Sequence, residues 1–309
     1  MAGGGDQPYG RLKSVEVVNL DETNPNVTCK NLPDMPLGLW GATGQLFQGK
    51  TPIICGGGNG ADYRSDCHSF ENGTWNQIAS LTEQKYWSAS ATFLYGKDEI
   101  LLMTGGKNGS EIFSTVESFD GQIWNRETFT DLPESVLLHC MVKINNSMLL
   151  QIGGSYSSTQ TGKTYFFDIN DDKWLPGPTL REPRQFHSCG VMNWINPETE
   201  TEENIVVVAG GGDGGFASPR VELLYLNDLQ TGWVLGPSVL GDLRIYESRM
   251  IEFQNSVILI GGGYEDIDGT HLYQLSSPTG QWKPLRPRLK EGRMSHVAFL
   301  VPDELVDCQ

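Results

Sequence analysis

The chain has no apolar run approaching the roughly 20 residues that a membrane-spanning helix needs, and no stretch of useful length with a helical period. Positive charge is scarce too: 22 Lys and Arg stand against 38 Asp and Glu, for a net charge of −16 and a pI near 4.7, and the basic residues form no cluster. Membrane insertion and non-specific binding of nucleic acid or anionic lipid are therefore not expected; the acidity serves solubility. Catalytic motifs are missing as well, with no Gly-x-Ser-x-Gly, no His-Glu-x2-His, no P-loop and no complete EF-hand loop. Asp266-Ile267-Asp268-Gly269 has a fragment of a calcium loop without the remaining ligands or the closing Glu, and reads as a solvated acidic loop. The opening Met1-Ala2-Gly3-Gly4-Gly5-Asp6 has neither the basic start nor the apolar core of a signal peptide, and residues 1–10 read as a flexible start.

What is present is a repeat. A double glycine closes a short apolar run at Gly56-Gly57, Gly105-Gly106, Gly153-Gly154, Gly210-Gly211 and Gly261-Gly262, and a tryptophan follows each at Trp75, Trp124, Trp174, Trp233 and Trp282. Leucines recur in phase at Leu32, Leu81, Leu132, Leu180, Leu240 and Leu289. Four residues beyond each leucine stand Pro36, Lys85, Val136, Arg184, Arg244 and Arg293; three further on stand Leu39, Ser88, His139, His187, Glu247 and His296. A period near fifty residues marks one supersecondary unit copied around an axis.

Within each copy the pattern is that of strands. Ile100–Met103, Met148–Ile152, Ile205–Val208 and Val257–Ile260 are β-rich runs ending at the glycines, and the strands that follow them, such as Val116-Glu117 or Val221-Glu222, lead through a turn to the tryptophan. Four antiparallel strands, a to d, in six copies predict an all-β, six-bladed propeller over residues 11–309. The sixth blade is expected to be shared by the termini. Ser14–Leu20 would be its strand c, 26–30 its strand d, His296–Val301 its strand a and Glu304–Asp307 its strand b. The tryptophans are expected to pack between neighbouring sheets.

A double glycine, then a strand with Phe or Tyr (Phe70, Phe119, Phe166-Phe167, Tyr225), then Trp, is the pattern of the kelch repeat, and the chain resembles kelch β-propellers over essentially 11–309. The resemblance implies a platform for binding proteins or ligands. A minority of kelch folds are copper radical oxidases, but the crosslinked Tyr–Cys pair that such an enzyme needs cannot be assembled from these residues. Cys55 and Cys67, with Phe70 and Trp75 following, also resemble the arrangement in extracellular kelch proteins of invertebrates.

Six cysteines are compatible with disulfides. Cys55 and Cys67 end one strand and begin the next, and are expected to bond; a Cys29–Cys308 bond would clasp the ring. Cys140 and Cys189, beside His139 and His187, read as buried free thiols. The sequons at Asn26, Asn72, Asn108 and Asn145 fall at predicted turns, where glycans are tolerated. Together these favour an extracellular, secreted protein, with a cytoplasmic setting as the alternative.

The candidate binding residues are those at the start of the inner strands: the cations Lys85, Arg184, Arg244 and Arg293, and the aromatics Trp40, Tyr86, Trp87, Phe186 and Tyr246. Aromatic rings and guanidinium groups are common anchors of binding sites; the competing reading is that the cations tie loops within the scaffold. His139, His187 and His296 recur at equivalent places, and imidazoles meeting at an axis would suit zinc or copper. Their spread over non-adjacent copies favours internal hydrogen bonding instead, and no cofactor is expected. The sequence thus leads to a non-catalytic module for a protein or glycan, with a channel that binds or processes a small sugar, or an intracellular adaptor, as alternatives.

Overall fold

Each apolar run before a double glycine becomes the second strand of an antiparallel sheet, buried on both faces: Thr51–Cys55, Asp98–Thr104, Met148–Ile152, Glu202–Ala209 and Ser256–Ile260. Side chains pack against both surfaces of these strands, which is why they are continuously apolar rather than alternating. The computed structural model describes residues 1–309 apart from 7–9, 22, 24–26, 60–61, 158, 213–216, 240–243, 264–267 and 309.

The sheets are five blades of a β-propeller. Their inner strands a are Thr43–Phe47, Ala89–Tyr95, Cys140–Asn145, Ser188–Ile195 and Arg249–Phe253. The outer pairs c and d are Cys67–Glu71 with Thr74–Ile78, Val116–Phe119 with Trp124–Asn125, Thr164–Asp168 with Lys173–Pro176, Val221–Tyr225 with Val234–Leu235, and Leu272–Leu275 with Lys283–Pro284. Core clusters lie between successive blades; one joins Leu149 and Trp174 to Phe93 and Leu102, another Val207 and Leu223 to Leu259 and Trp282. Three tryptophans also tie a blade to the loop leaving the one before, and a fourth ties the first blade to the N-terminal segment: the indole Nε1 of Trp174, Trp233 and Trp282 donates to the backbone oxygen of Thr130, Pro178 and Pro237, and that of Trp75 to Pro33 O, at 2.8–2.9 Å.

Five blades form, not the six expected. The terminal segments build no sixth four-stranded sheet among the described residues; they meet through isolated bridges, Ala2 with Val297 and with Val15, and Cys29 with Cys308. The expected strand b over Glu304–Asp307 is absent, and a 3-10 turn occupies Asp303–Leu305. The reason lies at the other end of the chain. Ala2, which is 2% exposed, sits between Val297 and Val15, where strand b was expected, so residues 1–5 form part of the closure and not a loose start. Gly4 (φ +97) then takes the place of the double glycines: a Cβ there would lie 2.7 Å from Met294 O and 2.8 Å from His296 Cβ. At Gly154 (φ +105) the same atoms of the equivalent residues, Leu137 O and His139 Cβ, lie at 2.7 and 2.8 Å. The terminal segments bury Val15, Leu39 and Val297 against the first blade and Val18 and Leu20 against the fifth, so the ring is closed without a sixth sheet.

A belt of backbone hydrogen bonds runs around the axis. Trp87 N donates to Gly41 O, Leu138 N to Trp87 O, Phe186 N to Leu138 O, Glu247 N to Phe186 O, Ser295 N to Glu247 O, and Gly41 N to Ser295 O, at 2.8–3.3 Å. All six residues have positive φ, between 49° and 65°. That conformation is uncommon for side chains other than glycine and persists where the surroundings enforce it, here through the closed belt.

Three disulfides are present, and no cysteine is free. Cys55–Cys67 joins directly paired residues of strands b and c, and Cys29–Cys308 clasps the two ends of the chain. Cys140–Cys189 corrects the expectation of two free thiols. The two residues sit on the inner strands of neighbouring blades, which share no hydrogen-bonded ladder, so strand pairing in the sequence gives no sign of their proximity. Thiol titration of the denatured, unreduced protein is expected to find no reactive thiol; two would contradict the third bond.

Candidate functional site

The start of each inner strand lies on the face that carries the b–c and d–a loops, and residues there bridge to the position just after a double glycine: Trp40 to Gly58, Tyr86 to Lys107, Tyr246 to Gly263. The five aromatics singled out in the sequence are brought together on this face. Trp40 lies 5.6 Å from Tyr86 and 5.1 Å from Trp87, Trp87 lies edge-on to Phe186 at 5.5 Å, and Phe186 lies edge-on to Tyr246 at 5.9 Å, centroid to centroid. Tyr63, from the first b–c loop, stacks on Tyr86 at 4.9 Å and extends the run. Sequence reasoning missed Tyr63; its place five residues after Gly58 in a b–c loop was the available signal. Burial, with the Tyr63 hydroxyl as a lesser cause, pushes the Tyr86 phenol up to about 12, so it stays a neutral donor. Lys107 Nζ stands 6.0 Å over the Tyr86 ring. The indole nitrogen of Trp87 is buried with no hydrogen-bond partner among the described residues.

The four cations separate into two kinds. Lys85, Arg184 and Arg293 are at most 1% exposed and spend their donors inside the scaffold, so they are removed from the candidate surface. Lys85 Nζ pairs with Glu117 at 2.7 Å, Arg184 Nη2 with Glu222 at 2.7 Å and Arg293 Nη2 with Glu16 at 2.5 Å. Each carboxylate also accepts backbone N–H groups of the preceding d–a loop: Thr82 for Glu117, Arg181 and Glu182 for Glu222, Lys290 and Glu291 for Glu16. Arg184 Nη1 donates to Gly210 O and Arg220 O, and Arg293 Nη1 to Gly3 O and Ser14 O. These are loop clamps, held through the terminal amino groups of the cations, while Nε of Arg184 and of Arg293 has no hydrogen-bond partner among the described residues. Arg244 differs. Tyr273 stands where the fifth blade would need its glutamate, and Arg244 is exposed on the face with the aromatics.

The histidines do not meet at the axis. A Cβ on Gly105, Gly153 or Gly261 would lie 2.9 Å from Cε1 of His139, His187 or His296, so each ring packs on the double glycine of the blade before it. His139 Nε2 meets the Thr104 hydroxyl at 2.9 Å and His187 Nε2 faces the Ile152 carbonyl at 3.2 Å. Among the described residues no group of three or more His, Cys, Asp or Glu side chains is placed to hold a metal. Burial pushes His139 down to about 3; burial, then Arg184, pushes His187 to about 3; burial, then Arg249 and Arg293, holds His296 well below its ordinary range. Between pH 6.5 and 3 the unfolded chain therefore binds protons that the native protein refuses, and stability falls as pH falls, by up to about 1.4 kcal/mol per pH unit for each histidine. Glu247 and Glu252, raised chiefly by burial, oppose this in part. The melting temperature is expected to drop from pH 7 to pH 5, and less steeply in His187→Gln; equal slopes would contradict the neutral, buried assignment.

The channel behind the belt holds a cavity of about 370 Å³ walled by the inner strands. Thr43 and Ser90, bonded across two blades at 3.0 Å, line it with Ser188, whose hydroxyl meets that of Ser248 at 2.8 Å, and with the Cys140–Cys189 bond. Arg249 faces Glu247 there, each destabilised by burial and favoured by the other's charge.

Of the sequons, Asn72 is exposed in a hairpin turn with Gly73, and Asn145 is exposed with its Oδ1 accepting from the Ser147 amide and hydroxyl. Asn108 is half-buried in a b–c hairpin, and Asn26 lies outside the described residues. The incomplete calcium-like run begins outside them too; Asp268 caps its own turn through Thr270. Among the described residues no helix is long and apolar enough to cross a membrane. No protein-family model and no curated protein matches the chain.

Proposed function

We propose that the protein is a secreted propeller of the kelch type that binds a protein or glycan ligand through the face carrying the b–c and d–a loops, without catalysing a reaction. The observation that carries this reading is the continuous run of rings along that face, from the exposed Tyr63 through the buried Tyr86 to the half-buried Trp40, Trp87, Phe186 and Tyr246. Rings in edge-to-face contact are held rigid by one another, so a ligand that stacks on them meets a preorganised surface. With three of the four cations withdrawn into the scaffold, the surface favours apolar and CH-rich ligand faces, such as sugar rings and aliphatic side chains, over carboxylates. Three disulfides, one across the whole chain, suit an oxidising compartment. Exposed sequons Asn72 and Asn145 lie at hairpin turns of the opposite face, where glycans leave the ring surface open.

Screening the immobilised protein against a glycan array and a set of secreted proteins tests this. Binding is expected to weaken at least about thirtyfold in Trp87→Gly, a substitution the backbone accepts because Gly41 holds the equivalent belt position. Undiminished binding would reject the face. A second reading, a small ligand in the channel, draws on the 370 Å³ cavity and Arg249; a ligand whose affinity responds to Arg249→Met and not to Trp87→Gly would favour it.

A further inference from the structure

The seam between the third and fourth blades opens into a groove of about 740 Å³ that starts at the third blade's a–b turn. Ile144, Phe166 and Leu226 give it an apolar floor, which is the outer rim of the core cluster joining the two blades. Leu175 and Leu229 stand along it 38% and 40% exposed. Among the described residues no charged side chain lines it, in a chain whose net charge is −16. Its polar side chains are amides, those of Asn145, Asn204 and Asn227. Asn145 also opens the sequon Asn145-Asn146-Ser147. It is exposed, and its Oδ1 accepts from the Ser147 amide and hydroxyl at 2.8 and 3.0 Å, which leaves Nδ2 without a protein partner among the described residues.

We propose that Asn145 carries an N-linked glycan whose first sugars lie in this groove and cover the seam between the two blades. The donor is a lipid-diphosphate-linked oligosaccharide. The bond from Nδ2 to the first sugar's C1 forms, the C1–O bond to the diphosphate breaks, the amide gives up one proton and the lipid diphosphate leaves. The lining selects this occupant. A sugar ring buries its C–H faces on Phe166, Leu175 and Leu229, while its hydroxyl and acetamido groups meet the amides of Asn204 and of Asn227, whose Nδ2 otherwise reaches only Glu202 O at 3.4 Å. An acyl chain would strip water from those amides without replacing it. Attachment at the groove itself makes the contact intramolecular, so weak stacking suffices to hold it. Asn72 has the same acceptor chemistry without a groove: it is exposed at a hairpin tip where a Cβ on the adjoining Gly73 would meet nothing within 4 Å. A glycan there projects into solvent and serves as the internal control. The proposal rests on the secreted reading, because the donor is met in a secretory compartment, and not on the ligand of the aromatic face.

The full chain, secreted from a eukaryotic host, is examined by glycopeptide mass spectrometry and hydroxyl-radical footprinting. Asn145 is expected to be occupied. Oxidation of Met148, Phe166 and Leu175 is expected to be at least about threefold lower than in Asn145→Gln, since oxidation of a side chain follows its exposure. Because Asn145→Gln also disturbs the turn, Ser147→Ala is the second variant; it abolishes the sequon and keeps the backbone bond that Asn145 accepts. Both variants should show the same rise in oxidation. Asn72→Gln should leave the groove as protected as before, and the exposed Ile123 of the second blade should be unchanged throughout. Glycan at Asn72 with none at Asn145, glycan at Asn145 with an unprotected groove, or a rise confined to Asn145→Gln would overturn the proposal and leave the secreted reading standing. Glycan at neither site would overturn both.

Discussion

Replacing Arg184 with alanine is expected to destabilise the protein by about 3–5 kcal/mol, the cost typical of breaking a buried ion pair from one side. The substitution leaves the Glu222 carboxylate, itself 0% exposed, without its counter-charge, and strips the carbonyls of Gly210 and Arg220 of a shared donor. The argument predicts more than a large number. Glu222 keeps its bonds from the amides of Arg181 and Glu182, so the charge remains fixed in place and cannot escape to solvent. Arg184→Met combined with Glu222→Leu removes both charges and should cost less than either single change, because no buried charge is left unpaired and only the backbone partners of the two side chains lose hydrogen bonds. Arg244→Ala, by contrast, should stay within about 0.5 kcal/mol, as is usual for an exposed position away from caps and networks. Urea unfolding, with midpoints compared at equal slope, reads all of these variants. If Arg184→Ala and Arg244→Ala were equally mild, the clamps would not hold the loops.

Removing the Cys29–Cys308 bond is expected to produce a stability loss of similar or greater size. On the chain-entropy account the loss scales with the loop each bond closes. With sequence separations of 279, 49 and 12, the Cys29–Cys308, Cys140–Cys189 and Cys55–Cys67 bonds rank in that order, at about 5.6, 4 and 3 kcal/mol. The clasp has a second effect that the others lack. The closure has no four-stranded sheet among the described residues, so freeing the ends uncovers the apolar surfaces they bury, Ile54 of the first blade and Ile258, Ile260 and Leu272 of the fifth, for association with other molecules. Cys29→Ser/Cys308→Ser should therefore melt lower and aggregate on heating, whereas Cys55→Ser/Cys67→Ser melts lower without aggregating. The same failure is expected on deleting residues 11–30. Light scattering during a thermal ramp separates the cases.

Much of the fold was legible because each blade repeats one set of local demands. Runs such as Ile205–Val208 and Val257–Ile260 can only be strands buried on both faces, and the glycines after them mark where the backbone must turn with positive φ. Two of the three disulfides followed from strands that are neighbours in sequence or in the closure. Contacts between blades were hidden, since inner strands of adjacent blades touch through side chains alone; that is why Cys140 and Cys189 escaped notice. The blade count failed where the repeat is cut. The sequence reading placed strand b of the shared blade at Glu304–Asp307, while Ala2 takes that place and Gly4 the position of a double glycine.

The candidate site was half legible. The aromatic positions assemble as the register placed them, because that register is the belt itself: Trp87, Phe186 and their equivalents occupy one ring of positive-φ residues. The cations were misassigned, although the chain carries the information to sort them. Lys85, Arg184 and Arg293 occur with Glu117, Glu222 and Glu16 in strand c or its equivalent, whereas tyrosine stands there in the other two cases compared, Tyr165 with Val136 and Tyr273 with Arg244. The pairing of a basic residue before strand a with a glutamate in strand c separates loop clamps from surface residues within a single sequence.

The recognition face is tested most directly by titrating whichever ligand the screen identifies against three proteins by calorimetry. Trp87→Gly and Phe186→Gly remove rings from the centre of the run. Ile195→Ala changes an exposed apolar residue at the far end of the strand Ser188–Ile195, about 25 Å from the belt. Loss of a central aromatic anchor typically costs at least 2 kcal/mol, or roughly thirtyfold in affinity. The expected result is a loss of that size in both ring variants, with unaltered melting temperatures and no change for Ile195→Ala. Full affinity in both ring variants, or a loss confined to Ile195→Ala, would place the binding surface elsewhere.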